Sequence, residues 1–194
     1  MDETKQVEYR TFSVDELRRV GDDDKSKRIV GHAAVFNKKT RIADFDEKIA
    51  PGAFAETIKS GDIRAFWNHN SDIVLGRNTA GTLSLEEDRK GLKVEIDPPD
   101  TELVRSHMAS IDRGDVTGMS FGFRVIRETW ETNKNKPDLR TLEEIELFEV
   151  SPVALPAYEN TDVAVRAHEE WQKGQEIEPE PERARLPLAP EFTP

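Results

Sequence analysis

The sequence predicts a mostly-β domain with a few short helices and a disordered C-terminal tail. Three observations carry this. Apolar and polar residues alternate with a period of two in several separate runs, the mark of strands with one buried face. Helical spacing is confined to short stretches bounded by glycine or proline. The final 28 residues hold seven Glu, three Lys or Arg and five of the eleven prolines. Such a segment buries too little apolar surface to offset its chain entropy.

The opening, 1–27, reads as a loose strand over Val7–Phe12 followed by a connection. Ser13-Val14-Asp15-Glu16 has capping-box spacing and predicts a helical turn through Leu17, Arg18 and Arg19, stopped by Gly21. Asp22-Asp23-Asp24 continues the connection. A central domain over 28–166 begins with a strand at Arg28–Phe36, rich in small and β-branched residues. Asp44–Ile49 is a second strand, ended by Pro51. Pro51–Ile58 is a short helix stopped by Gly61. Ile63, Ala65 and Trp67 alternate with Asp62, Arg64 and Phe66, giving a strand that delivers His69 at its end. Val74–Arg77 is a further short strand.

The clearest hairpin spans Gly81–Asp97. Leu83 and Leu85 alternate with polar neighbours, Asp88–Gly91 turns, and Leu92, Val94 and Ile96 alternate again. Pro98-Pro99 stops it. Asp100 or Thr101 caps a helix running to Asp112, with Leu103, Val104, His107, Met108 and Ile111 on one face. Gly114 ends it. A strand runs from Gly118 toward Trp130, 133–137 is a polar loop, and Thr141–Val153 is the last strand. The tail, 167–194, has its main apolar cluster at Leu186–Phe192. It reads as a solvated linker, a docking peptide or a self-cleavage region.

Composition excludes several classes of function. Charged residues make up 35% of the chain and the net charge is −11. That argues against nucleic acid as a partner and against an anionic membrane surface. There is no cysteine, which removes disulfides, thiolate catalysis and Cys-zinc sites. No cofactor or metal is expected: no two histidines have ligand spacing and no His-Glu-x-x-His occurs. The first residues carry no apolar run and nothing approaches transmembrane length, so a soluble cytosolic protein is expected.

The residues that point to chemistry are Gly118-Met119-Ser120-Phe121-Gly122-Phe123 and Trp67-Asn68-His69-Asn70. Met119, Phe121, Phe123 and Val125 are large and apolar, so Ser120 faces the other way with a glycine two residues off on each side. Parity predicts an exposed, uncrowded hydroxyl. A serine needs a base to act as a nucleophile, and His69, set between two asparagines, is the natural one. The motif is short enough to recur by chance. It is not an α/β-hydrolase elbow, because strand rather than helix follows. His32 lies in phase with Val30, Ala34 and Phe36 and reads as structural. His107 reads as packed on its helix. Arg77 reads as a partner for surface carboxylates.

Further motifs fall in order along the chain: Gly31-His32-Ala33-Ala34-Val35-Phe36-Asn37, Ile49-Ala50-Pro51-Gly52-Ala53-Phe54, Leu75-Gly76-Arg77 and Glu149-Val150-Ser151-Pro152-Val153-Ala154-Leu155-Pro156-Ala157. With the two above, the set resembles the HK97-type prohead maturation proteases of tailed phages, over about residues 28–165. The resemblance implies a compact antiparallel β-barrel with surrounding helices, similar to herpesvirus assemblin. It implies a serine endopeptidase that cleaves the scaffolding portion of the major capsid protein, and itself, inside the assembling procapsid in the host cytoplasm. The capsid protein precursor, the portal and a second copy of the chain are the implied partners. The family's histidine falls on His69 and its nucleophile on Ser120, 51 residues downstream.

The third triad member is open between a later histidine and a carboxylate. His168 is set aside because it sits at the edge of the tail. Glu144, Glu146 and Glu149 remain, and parity favours Glu149, which shares a strand face with Ile145 and Leu147. One tension follows. Ser120 lies opposite its strand's apolar face while Glu149 lies in phase with its own, so a bulge or a strand end must bring them together. The alternative function is a non-catalytic scaffolding protein of the procapsid, with the acidic tail binding capsid subunits.

Overall fold

The computed structural model describes residues 6–13, 17–21, 28–132, 134–155 and 161–176. Two long strands organise it. β10 (Gly118–Glu131) and β11 (Leu139–Val153) form an antiparallel hairpin whose register runs from Gly118 opposite Val153 to Glu131 opposite Leu139. β1 (Glu8–Ser13) pairs antiparallel with the free edge of β10. The far edge of β11 is shared by two strands placed end to end. β5 (Phe45–Ile49) pairs with it at Leu139–Leu142 and β6 (Arg64–Trp67) at Glu149–Val150, both parallel. β4 (Thr40–Ile42) folds back on β5 and β7 (Asn70–Arg77) on β6.

A second sheet, entirely antiparallel, has the order β2 (Arg18–Val20), β3 (Arg28–Val35), β9 (Gly91–Ile96), β8 (Leu83–Glu87). Its inner residues Ile29, Ala33, Val94 and Ile96 share one core with Met119, Phe121, Phe123 and Val150. The β8–β9 hairpin closes as its turn residues predict. Gly91 is required there, because a Cβ would lie 1.9 Å from the Ala34 carbonyl oxygen.

α1 (Ala55–Ser60) lies over β11, where the Thr57 hydroxyl accepts the Leu147 N–H at 3.0 Å. α2 (Glu102–Asp112) is capped by Thr101, whose hydroxyl accepts the Val104 N–H at 3.2 Å. It buries Val104, Met108 and Ile111, whereas Leu103, expected on the same face, is 54% exposed. α3 (Thr161–Glu176) docks through Ala164 and His168 onto Ile42, Phe45 and Trp130.

The mostly-β expectation holds, with three corrections. The barrel does not close among the described residues. It is two sheets, one of them mixed. β5 and β6 reach β11 through long connections, which permit parallel pairing, whereas a tight hairpin forces the antiparallel kind. The helical turn expected through Arg18 and Arg19 is instead β2, because pairing with the edge of β3 overrides the local capping signal. The rest of that capping box, 14–16, and the acidic run at 22–24 lie outside the described residues. Finally, the tail expected from Ala167 begins with ten helical residues, so the 166/167 boundary falls inside α3. Counting composition over 28 residues averaged two unlike segments. All five prolines stand at 179 or later, beyond the helix. Residues 177–194, including Leu186–Phe192, lie outside the described residues.

Candidate active site

Ser120 sits in the middle of the large sheet, between Thr11 of β1 and Ser151 of β11. Met119, Phe121 and Phe123 point into the core, as the alternation predicts. Ser120 points the other way, yet it is fully buried rather than exposed. The correction has a tertiary cause. β1 covers that face with Tyr9 and Thr11, and the tip of the β6–β7 hairpin folds over it with Asn68 and His69. Together with Val153, Ala154 and Leu155 they enclose a cleft of about 160 Å³ that has Ser120 in its lining. The Ser120 hydroxyl donates to the Arg10 carbonyl at 3.1 Å.

His69 is held by a tight turn. Trp67 pairs with Asn70, and the two residues between them, Asn68 and His69, both have left-handed backbone, with φ of 51° and 60°. Positive φ at both central positions is the geometry of a type I′ hairpin turn. Asn is at ease there. Histidine is less so, and strain of this kind persists where neighbours enforce it. Here β11 enforces it: the Asn68 N–H donates to the Pro152 carbonyl at 3.0 Å and the His69 N–H to the Ser151 hydroxyl at 3.3 Å. The His69 ring meets the Tyr9 ring edge-on at 4.8 Å.

His69 Nδ1 lies 2.5 Å from Glu149 Oε1. With Nδ1–H donated to the carboxylate, Nε2 carries the lone pair and is the basic nitrogen. A bulge makes this contact possible. The β10–β11 register slips so that Gly122 faces Glu149 while Phe123 faces Leu147, leaving Phe148 unpaired. Glu149 therefore moves onto the face of Ser120 and leaves that of Ile145 and Leu147. The parity argument chose Glu149 for a reason the bulge removes, and the bulge also resolves the tension between the two strands. Gly122 provides the space, since a Cβ there would stand 2.8 Å from Tyr9 Cε1 and 3.1 Å from Glu149 Oε1. The second carboxylate oxygen accepts from the Ser151 hydroxyl at 2.6 Å.

The sheet thus brings Ser120 and His69 to one cleft, with buried Glu149 behind His69. Between His69 and Ser120 themselves there is no hydrogen bond. Catalytic contacts are often long in free enzymes and tighten with substrate. Glu146 instead pairs with Arg124 and Glu144 with Arg127, both partly exposed. His168 belongs to the α3 cluster, where Nε2 lies 3.0 Å from Asp138. His32 Nε2 lies 2.9 Å from Asp88. Burial alone would raise the Asp88 carboxyl, but His32 and the N–H groups of Gly91 and Lys90 bring it down to about 2. His107 stacks on Trp67 at 4.4 Å, and burial lowers its pKa. Arg77 binds Asp62 through two bonds of 2.6 and 2.7 Å, and its hydrogen bonding holds that carboxyl at about 2. Among the described residues no group of His, Asp and Glu could hold a metal, and no helix is long and apolar enough to cross a membrane.

Sequence reasoning gave no role to Tyr9, Thr11 or Ser151. The first two lie more than a hundred residues from Ser120, and nothing local shows that β1 pairs with β10. Ser151 was within reach, since a polar residue two positions from Glu149 on the same strand shares its face.

The structure titled "Structure of the bacteriophage T4 capsid assembly protease, gp21" is similar over 78% of this chain and 98% of its own, with 9% identity and a TM-score of 0.45. No curated protein matches the chain. The family model described as Caudovirus prohead serine protease matches residues 14–175, which include His69, Ser120 and Glu149 but not β1. The chain belongs to the caudovirus prohead serine protease family.

Proposed function

We propose that this protein is a serine endopeptidase that cleaves the scaffolding portion of the major capsid protein precursor, and itself, inside the assembling procapsid in the host. The observation that carries the reading is the 2.5 Å contact of His69 with buried Glu149 in a cleft that Ser120 also lines. In the reaction, the Ser120 hydroxyl turns from the Arg10 carbonyl toward His69. Its oxygen attacks the scissile carbonyl as His69 Nε2 takes the proton. Glu149 holds the Nδ1–H tautomer and stabilises the imidazolium. Collapse of the tetrahedral intermediate returns that proton to the leaving amine. Water, activated by the same histidine, then releases the acyl group. The portal and a second copy of the chain are further proposed partners.

A non-catalytic scaffolding role is the second reading. It is favoured by one observation, that the Ser120 hydroxyl is bonded to Arg10 and not to His69. Co-expression with the capsid precursor separates the two. Ser120→Ala should abolish processing, a fall on the order of 10⁴-fold or more, while the thermal transition is kept. Mass spectrometry of the capsid protein reads the result. Normal processing by Ser120→Ala removes the nucleophile assignment. No processing by the unaltered chain favours the scaffolding role.

A further inference from the structure

We infer that Ser151 is a positioning residue for His69, acting through one hydroxyl on two partners; the inference rests on the site reading given above. The Ser151 hydroxyl donates its single proton to Glu149 Oε2 at 2.6 Å. Its oxygen accepts the His69 N–H at 3.3 Å. A hydroxyl has one donor and two acceptor positions, so both bonds form at once. Ser151 is fully buried and stands directly opposite Ser120 in the ladder.

Each bond answers a specific weakness. Glu149 is buried, and its Oε1 is given to His69. Without Ser151, Oε2 loses its hydroxyl donor and the carboxylate gains freedom to rotate away from the ring. The backbone at His69 is left-handed, a conformation that a non-glycine residue leaves unless it is held. The bond from the His69 N–H ties that residue to the same strand that supplies Glu149. One side chain therefore sets the distance between the histidine and its carboxylate from both ends. Alanine removes both bonds and only the volume of one hydroxyl, so the fold is expected to survive the change. Threonine keeps the hydroxyl.

The test uses the full chain and two readouts. The first is the labelling rate of Ser120 by a fluorophosphonate probe, with Ser120→Ala as the blank. Ser151→Ala should label about 10- to 100-fold more slowly, the scale on which partners behind a site ligand act. Ser151→Thr should recover most of the rate. In a Glu149→Gln background the same Ser151→Ala change should cost less than about threefold, because its main partner is already altered. The second readout is the ¹⁵N spectrum of the His69 ring. It should report the Nδ1–H tautomer in the unaltered chain and in Ser151→Thr, and a mixture of tautomers in Ser151→Ala. A purely structural serine would leave that spectrum unchanged. The inference is overturned if Ser151→Ala keeps the Nδ1–H tautomer, or if its labelling loss is undiminished beside Glu149→Gln. If the unaltered chain is not labelled at Ser120, the nucleophile reading fails by itself, and the ring spectra still decide the role of Ser151.

Discussion

Strand β1 separates two buried polar clusters that differ in one decisive respect. On the side of Phe121, Glu8 and Arg10 join Glu47 of β5 and Arg140 of β11. On the other side, Tyr9 and Thr11 border the cleft lined by His69, and Glu149 and Ser151 stand behind that histidine. Both clusters bury carboxylates. In the first, the partners are guanidinium groups. Arg10 grips Glu47 with bonds of 2.6 and 2.8 Å, and Arg140 reaches Glu8 and Glu47 at 3.0 Å. Burial acts to lower the Arg140 pKa, but Glu47 and Glu8 outweigh it and raise it. Burial alone would raise the Glu47 carboxyl, yet Arg10 and Arg140 hold it below the ordinary carboxylate range. Both of its buried carboxylates, Glu8 and Glu47, are held by guanidinium groups. In the second, the partner is an imidazole, which gives one ring nitrogen to the carboxylate and keeps the other free of it. It borders a cleft. The same chemistry of burial makes a structural joint in one place and a candidate proton relay in the other.

The separation can be broken most severely at His69. His69→Ala should lose cleavage on the order of 10⁴-fold or more, and the double variant with Ser120→Ala should be no worse, because the two act as a unit. Additive losses in capsid processing would mean that they do not.

Glu149 comes next. Glu149→Gln should lower cleavage by roughly 10²- to 10⁴-fold by favouring the wrong tautomer. Glu146→Gln is the control. Its ion pair with Arg124 is partly exposed, so the change should be nearly silent. A damaging Glu146→Gln would contradict the bulge at Phe148.

The arginine cluster should behave in the opposite manner. Arg140→Met leaves buried carboxylates short of a cation and should destabilise the fold by about 3–5 kcal/mol. The folded fraction should still label at Ser120 at the normal rate. Denaturant unfolding and probe labelling measure the two effects separately, and an inactive but folded Arg140→Met would show that the clusters are coupled. The sign of the pH effect follows from Glu47. Its pKa is lower in the folded chain than the ordinary 4.5. Its contribution is therefore complete above the unfolded value and lost as pH falls below it. The thermal midpoint should drop between pH 5 and 3, and Arg140→Met should flatten that drop.

The smallest effect on chemistry is expected at α3. Ending the chain after Arg166 removes His168 and Trp171 from the rings of Trp130 and Phe45 and should cost about 2–4 kcal/mol of stability. Ending it after Glu176 should cost almost none. Both shortened chains should cleave an added substrate. A lower thermal midpoint for the Glu176 truncation would show that 177–194 pack on the domain.

Much of this was legible without the fold. Alternation marked β6, β8, β9, β10 and β11, small and β-branched residues marked β3, and Asp88–Gly91 marked a hairpin turn whose chemistry is local. Thr101 was readable as one of two candidate caps, beside Asp100, because its partner, Val104, is three residues away. β4 was missed because three residues are too few to show a period. β2 was misread because its strand state comes from β3. The helical first ten residues of the tail were hidden because composition was summed across the proline boundary.

By itself the sequence determined most of the strands and the chemistry of the available side chains, and it offered a glycine-flanked serine and an asparagine-flanked histidine as candidates. It also excluded thiolate chemistry outright. Only the tertiary structure decided which faces meet. A two-residue period counts along one strand and cannot register a slip against the next, so the bulge at Phe148 and the true face of Glu149 were invisible. Burial of Ser120 likewise comes from β1, whose Arg10 carbonyl lies 110 residues away in the chain. A pairing that distant is chosen by the whole sheet, because no local signal specifies which of several edges a short strand will join.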